Sequence, residues 1–294
     1  MEHSSRGNEL HRYWNSLVRP ACEALGAKTI VEIGAAAGLH TELVLAFCEE
    51  SGARLEIIDP VPVGKANELA PLLAKHATIH ETTSHEALPG ISGDVFLVDG
   101  DHNWFTVYHD LRLIEQRARE CGGRMPLIFG HDVGWPYGRR DLYYAPERVP
   151  EEHRQPFARR GMVMGSSELA LEGGFNYRHE NALHEGGPKN GVLTAFEDFV
   201  KESEVDWRFT TMPIFHGLAI LYHEPSLPEG SLEKLEALFE LSPAARRMLE
   251  DVEEERMILV CELVETYRRL GGRPGKRTAK LVRILKRVLG TYPG

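Results

Sequence analysis

Apolar residues recur three and four apart over residues 10–25, the spacing of a helix that buries one face. The next segment, Thr-Ile-Val-Glu-Ile at 29–33, is short and rich in β-branched side chains, and predicts a strand. From there the two patterns alternate. Helices are expected over 41–51, 66–75 and 105–119, and strands over 54–59, 78–81, 94–99 and 126–130. Such alternation means right-handed crossovers and a parallel sheet with helices on both faces. Between 135 and 191 the periodicity disappears into a segment rich in Gly, Pro, Arg, Tyr and His. Its aromatic and charged content favours an ordered lid over a loose linker. Regularity returns with a helix over 192–203 and two apolar runs, 207–212 and 218–222, which predict an antiparallel pair closing the sheet edge. After Pro228, helices over 231–241, 243–270 and 276–289 form a tail of different character. The expected class is therefore α/β, a doubly wound, mostly parallel sheet. The expected division is a domain over 1–225, with 136–191 as a lid or substrate insertion, and a helical extension over 226–294.

Composition narrows the partners. A chain of 294 residues with 42% hydrophobic side chains is long enough for a substantial core. A formal net charge of -10 argues against a general nucleic-acid binder, since phosphate contacts need clustered Lys and Arg. One stretch departs from that balance: Arg273, Lys276, Arg277, Lys280, Arg283, Lys286 and Arg287 lie together with no acid among them. It reads as a solvated or self-paired helix face, or as a patch for an anionic partner. No run approaches the roughly 20 apolar residues that span a bilayer, and the first residues lack the basic-then-apolar layout of a secretion signal, so a cytoplasmic protein is expected. Cys22, Cys48, Cys121 and Cys261 are too scattered for a disulfide framework or a structural zinc site. The apolar positions of the tail helices fit packing on the domain, with a homo-oligomer as the alternative.

Chemistry concentrates at strand ends. The first strand runs through Glu32 into Gly34-Ala35-Ala36-Ala37-Gly38 and then a helix. Gly34 and Gly38, with Ala35 between them, let the backbone approach a nucleotide-like ligand while the helix start offers unpaired N–H groups. The second strand ends in Asp59, an acid suited to ribose hydroxyls. The strand over 94–99 ends in Asp99-Gly-Asp-His102-Asn-Trp, and its neighbour over 126–130 ends in His131-Asp132. Strand tips of an open α/β sheet are where ligands bind, and carboxylate oxygens suit a hard divalent cation that keeps open positions for substrate oxygens. The competing reading is that these acids cap helices and hold loops.

These residues resemble those of class I S-adenosylmethionine-dependent methyltransferases. Within that group the chain looks like the metal-dependent small-molecule O-methyltransferases of the catechol, caffeoyl-CoA and macrolide-sugar types. The likeness spans about 25–225, is clearest over 29–132, and leaves the tail unmatched. It implies a Rossmann-like seven-stranded fold, S-adenosylmethionine as cofactor, and Mg²⁺ or Mn²⁺ as metal. By position it assigns the cofactor to Glu32, Gly34, Ala35, Gly38, Asp59 and Asp99, with Ser84 and His85 at the adenine. It assigns the metal to Asp99, His131 and Asp132. His131 departs from the family, where an acid or an amide is usual, and an imidazole there shifts preference toward a borderline metal such as Mn²⁺. His102 stands where related enzymes supply a general base, and its alternative is a histidine that orders its own loop.

The resemblance thus implies methyl transfer to a hydroxyl of a small molecule, with a sugar-like or glycosylated natural product as the expected acceptor. Trp135, Tyr137, Arg139 and Arg140 directly follow the metal pair and are expected to cover it. Aromatic faces suit sugar or planar rings, and paired arginines suit an anionic handle. Pairing of both arginines with local acids is the alternative. Methylation of RNA or protein, and a cofactor-binding module without catalysis, stand as rival functions. A dinucleotide-dependent dehydrogenase is disfavoured because the turn lacks the closely spaced first glycine pair.

Overall fold

The computed structural model describes residues 9–61 and 66–269. The basic cluster over 273–287 and the helix expected over 276–289 lie outside the described residues. In chain order the elements are α1 (Arg19–Leu25), β1 (Thr29–Ile33), α2 (Leu39–Ser51), β2 (Arg54–Ile58), α3 (Ala66–His76), β3 (Ala77–His80), α4 (Ser84–Ala87), β4 (Val95–Val98), α5 (Trp104–Glu120) and β5 (Leu127–His131). There follow β6 (Leu142–Tyr143), β7 (Phe157–Arg159), β8 (Glu180–Ala182), α6 (Val192–Glu202), β9 (Arg208–Met212), β10 (Leu218–Tyr222), α7 (Leu232–Phe239) and α8 (Pro243–Arg269). Seven strands form one sheet in the order β3-β2-β1-β4-β5-β10-β9. β1 to β5 pair in parallel, and β10 joins β5 antiparallel and carries β9 at the edge. The seven-stranded, mostly parallel Rossmann-like sheet with its antiparallel edge pair is thus as expected.

The period of two in the strands separates the core into two layers. Ile30, Leu55, Ile57, Leu97, Phe129, Leu218 and Ile220 face α1, α2 and α7 with Leu10, Trp14, Leu45 and Phe239. Val31, Phe96, Val98, Ile128, Ala219 and Leu221 face the other way, toward Val107, Leu111, Phe196 and Phe199 of α5 and α6. Met257, Val260 and Val264 of α8 join this second layer, together with Met162, Leu169 and Phe175 of the lid. Gly130 of β5 lies directly under the Phe196 ring, where a side chain would collide. Among the described residues no helix is long and apolar enough to cross a membrane.

Two segments differ from expectation. The helix expected over 10–25 is broken into a 3₁₀ turn at Glu9–Arg12, a wide π turn at Trp14–Val18, and α1. Pro20 explains the widening, because it has no N–H to donate into an α-helical turn and its ring crowds the carbonyl four residues back. The lid, expected without regular structure, contains a small antiparallel sheet in the order β6-β8-β7. Its base is fixed by Asp141, whose carboxylate accepts from Trp104 N at the start of α5 (2.8 Å), Gly191 N ahead of α6 (2.7 Å) and the Tyr143 hydroxyl (2.8 Å).

Gly130→Ala is expected to force β5 and α6 apart and to lower stability by about 1–3 kcal/mol, read as a lower urea midpoint with an unchanged m-value.

Candidate functional site

The two strand tips predicted to carry the chemistry do meet. β4 and β5 are parallel neighbours, with Val98 level with Gly130, so the residues just beyond them emerge side by side. One ligand atom from each of Asp99, His131 and Asp132 lies within 4.8 Å of the others. His131 Nδ1 is 3.3 Å from Asp99 Oδ1 and 3.4 Å from Asp132 Oδ2. His131 Nε2 donates to the Phe215 carbonyl at 2.8 Å. That bond places a ring proton on Nε2 and aims Nδ1 at the carboxylates; in the neutral ring Nδ1 carries the lone pair. Nδ1 is buried and makes no hydrogen bond of its own. A lone pair facing two carboxylates suits a cation between them, and a ring nitrogen fixed by a bond from its opposite nitrogen is the usual arrangement of a metal-ligating histidine.

His102 joins the same cluster. Its Nε2 lies 3.0 Å from Asp132 Oδ2 and 3.3 Å from Asp99 Oδ1. Asn103 caps α5 by accepting from Thr106 N at 2.8 Å, and Asp101 accepts from His102 N and from the Thr106 hydroxyl, so the loop that carries His102 is braced on both sides. The imidazole is stacked on Tyr137, with ring centroids 5.3 Å apart, and meets Tyr144 edge-on at 5.6 Å. The Tyr144 hydroxyl lies 3.5 Å from His102 Nδ1. Burial works against the charged form of both histidines, yet Asp132 and Asp99 outweigh it and raise both pKa values, that of His131 strongly. Burial likewise opposes ionisation of Asp132, but His102 and His131 pull its pKa below the usual carboxylate range. The cluster is therefore an interlocked set of charges with two carboxylates and two imidazoles.

The glycine-rich turn adjoins it. Gly34, at φ +88°, sits against the backbone of Asp99 and Gly100, where a Cβ would collide. The first glycine thus brings the β1 tip against the β4 tip, in addition to freeing the turn. Glu32 is fully buried and spends both oxygens on α2, one on His40 Nδ1 (2.9 Å) and one on the Thr41 hydroxyl (2.7 Å). It ties strand to helix beneath the turn. Asp59 grips the turn from the next strand: Oδ2 accepts from Ala35 N (2.9 Å) and Ala36 N (3.1 Å), and Oδ1 accepts from Val61 N (2.8 Å). Gly38, at φ +78°, caps α2. Ser84 opens the short α4 and is buried, and His85 Nε2 donates to the Thr106 carbonyl at 3.1 Å. His85 Nε2 also approaches Asp110 Oδ1 at 3.5 Å, and burial pushes the Asp110 carboxyl up to about 7 against the opposing pull of His85 and Ser84.

The lid residues divide. Tyr137 is at the cluster through its stack on His102. Trp135 packs against Phe175 and accepts a bond from His216 Nδ1 through its carbonyl. Arg139 forms a two-pronged pair with Glu197 of α6, one prong at 2.7 Å, and a bond to the Thr194 hydroxyl. Arg140 is buried beneath the lid, donating to the carbonyls of Ala182 and Ser167, with Glu185 at 3.8 Å. Both guanidinium groups are thus engaged within the protein, with acids on distant segments and not with sequence neighbours. A cleft of about 580 Å³ in the lid is lined by Trp135, Arg139, Ser166, Ser167, Glu185 and Gly186, and none of the four cluster residues lines it. Sequence reasoning passed over Asp101, Asn103, Asp141 and Phe215, whose hydrogen bonds hold the loops and the ring of the cluster. Of these only Asn103 carries a local signal, as a helix-capping residue ahead of an amphipathic run.

Residues 31–133 match the family model described as a methyltransferase domain. Among solved structures, an SAH-bound methyltransferase from Podospora anserina is 13% identical, with a TM-score of 0.48 over 75% of this chain and 80% of that one. A putative caffeoyl-CoA O-methyltransferase from Staphylococcus aureus is 13% identical (TM-score 0.38; 69% and 79% covered). The N-methyltransferase NodS from Bradyrhizobium japonicum is 13% identical (TM-score 0.38; 73% and 86% covered). No curated protein matches the chain in sequence.

Asp110 supplies a pH prediction. Its folded pKa of about 7 lies above the unfolded value of about 4, so its contribution is complete below the unfolded pKa and lost as pH rises through 7. Asp110→Asn keeps the shape without the charge. In urea titrations at pH 5, 6, 7 and 8, the variant should gain on the wild type as pH rises, by about 3 kcal/mol between pH 5 and pH 8.

Proposed function

We propose that this chain, whose residues 31–133 match a methyltransferase-domain model, is a class I S-adenosylmethionine-dependent, metal-assisted O-methyltransferase acting on a hydroxyl of a small molecule. The observation that carries the reading is the convergence of Asp99, His131 and Asp132, with His131 Nδ1 directed at the two carboxylates. This donor set of two carboxylate oxygens and one imidazole nitrogen fits Mg²⁺ and, because of the nitrogen, fits Mn²⁺ better. Bound there, the cation would lower the pKa of a coordinated hydroxyl and fix it for attack, while the cofactor would supply the electrophilic methyl group.

The protein's own groups do the rest. Asp59 and the Gly34–Gly38 turn form the cofactor cradle, and Asp99 stands where cradle and cation site meet. His102 would receive the acceptor proton at Nε2, which faces the cluster, once a cation between the carboxylates has displaced the proton that Nε2 shares with them. Tyr137 and Tyr144 flank His102, limit its ring to one orientation and present aromatic surface to an acceptor. Two adjacent hydroxyls would chelate a cation best, which favours a sugar-like or catechol-like acceptor, and the aromatic faces suit either ring. Ser84 and His85 would border the adenine.

A second role for His102 is favoured by one observation: Nε2 is as near to both carboxylates as a fourth ligand would be. One variant separates the two. If His102 is the base, His102→Ala lowers kcat by on the order of 10² and leaves Mn²⁺ affinity within a few fold. If it is a ligand, Mn²⁺ affinity falls as well. The metal reading is tested by Asp132→Ala, expected to abolish Mn²⁺-stimulated turnover of a diol acceptor while calorimetric affinity for S-adenosylhomocysteine changes only a few fold. Wild-type turnover that excess EDTA leaves unchanged would falsify it.

A further inference from the structure

The turn between β9 and β10 holds three successive residues in the left-handed region: Phe215 at φ +51°, His216 at +66° and Gly217 at +82°. Only the last is a glycine. A left-handed conformation at Phe215 and His216 is uphill and persists only where neighbours impose it. The neighbour that does so comes from the tail. Glu253 of α8 accepts from Phe215 N at 2.9 Å through Oε2 and from His216 N at 2.8 Å through Oε1. Two successive N–H groups turned to one side form a small concave anion site, and here the anion is a side chain of the same protein. Arg256 holds that carboxylate from behind, with Nε 2.7 Å from Oε2 and Nη2 2.6 Å from Oε1. Further contacts hold the turn. The Arg12 and Arg256 guanidinium groups lie over the Phe215 ring at 4.8 and 5.6 Å, and the Tyr13 hydroxyl donates to the Ile214 carbonyl.

The Phe215 carbonyl that this geometry sets is the acceptor for His131 Nε2. A continuous series of contacts therefore runs from α8 to the cluster: Arg256, the Glu253 carboxylate, the Phe215 and His216 amides, the Phe215 carbonyl, and the His131 ring. If the turn relaxed out of the left-handed region, the carbonyl would swing away, and with it the bond that places the ring proton on Nε2. His131 would then lose the orientation that directs Nδ1 to Asp99 and Asp132.

We propose that Glu253 is a positioning residue for the cation site, acting through the Phe215 carbonyl to hold His131 as an Nδ1 donor. The inference rests on the reading of Asp99, His131 and Asp132 as that site. It gives the helical extension a role in the chemistry of the sheet, although α8 contributes no side chain to the cluster itself.

The test is a Mn²⁺ titration followed by electron paramagnetic resonance, with no cofactor or acceptor present, on the wild type, Glu253→Gln and Val260→Ala. Val260 is buried on the same helix and controls for general loosening of α8. The wild type should bind one Mn²⁺. Glu253→Gln should bind it about 10- to 100-fold more weakly, the loss typical of removing a group that orients a ligand, and Val260→Ala should stay within about twofold. Glu253→Asp keeps the charge but withdraws it by a methylene, and is read in the same way should the Gln variant fail to fold. The imidazole ¹H–¹⁵N spectrum of the Mg²⁺-loaded proteins supplies a second readout: His131 should be an Nε2–H tautomer in the wild type and a mixture in Glu253→Gln. Folded Glu253 variants with wild-type Mn²⁺ affinity and an unchanged tautomer would overturn the role of Glu253. A wild type that binds no Mn²⁺ would instead overturn the cation-site reading beneath it.

Discussion

Two carboxylates held close together in a buried cleft repel unless positive charge lies between them. Asp99 and Asp132 are so held because the parallel pairing of β4 with β5 leaves the residues beyond Val98 and Gly130 no other direction. Much of the surrounding structure reads as a response to that constraint. His131 and His102 bring imidazoles to the carboxylates, Asn103 and Asp101 brace the loop of one, and the Phe215 carbonyl fixes the ring of the other. The same demand for positive charge that would draw a divalent cation into the site raises the affinity of both imidazoles for protons.

Around this centre the chain builds outward in shells from distant parts of the sequence. The glycine-rich turn touches it through Gly34, the lid through Tyr137 and Tyr144, and the edge hairpin through Phe215, while α8 reaches only that hairpin, through Glu253. Asp141 binds the starts of α5 and α6 and the first lid strand with one carboxylate, so the lid is rooted in the same helix start that carries His102. Arg139 and Arg140 add to that rooting. An arginine with a bonded carboxylate, or one buried on backbone carbonyls, is a strut more readily than a substrate handle.

The sheet was legible in the sequence because its strands are short, rich in β-branched and other apolar residues, and separated by amphipathic helices; β1, β9 and β10 were read to within a residue at either end. The cluster was legible too, since the acids and imidazoles sit at strand ends where the parallel topology must gather them. What escaped was set by partners far along the chain. Lid strands of two or three residues are too short to establish a period. The π turn before Pro20 looks like a helix to any pattern with a period near 3.6. The partner of Arg139 is on α6 and not among the nearby acids, and Glu253 lies in a run of acids in which no residue type distinguishes it from its neighbours. Glu32 illustrates the reverse case. It stands out in the sequence for its place beside the glycine-rich turn, and in the structure its two hydrogen bonds hold β1 to α2.

The grip of Glu253 on the β9–β10 turn also has a meaning in time. A chain leaves the ribosome from its N-terminus, and every strand of the large sheet precedes α8 in that order. The parallel core can therefore assemble while the turn at Phe215 and His216 still lacks the carboxylate that holds its left-handed residues. On this view the cluster matures last, when the extension docks, and a newly made domain passes through an interval in which it is folded but its centre is not yet set.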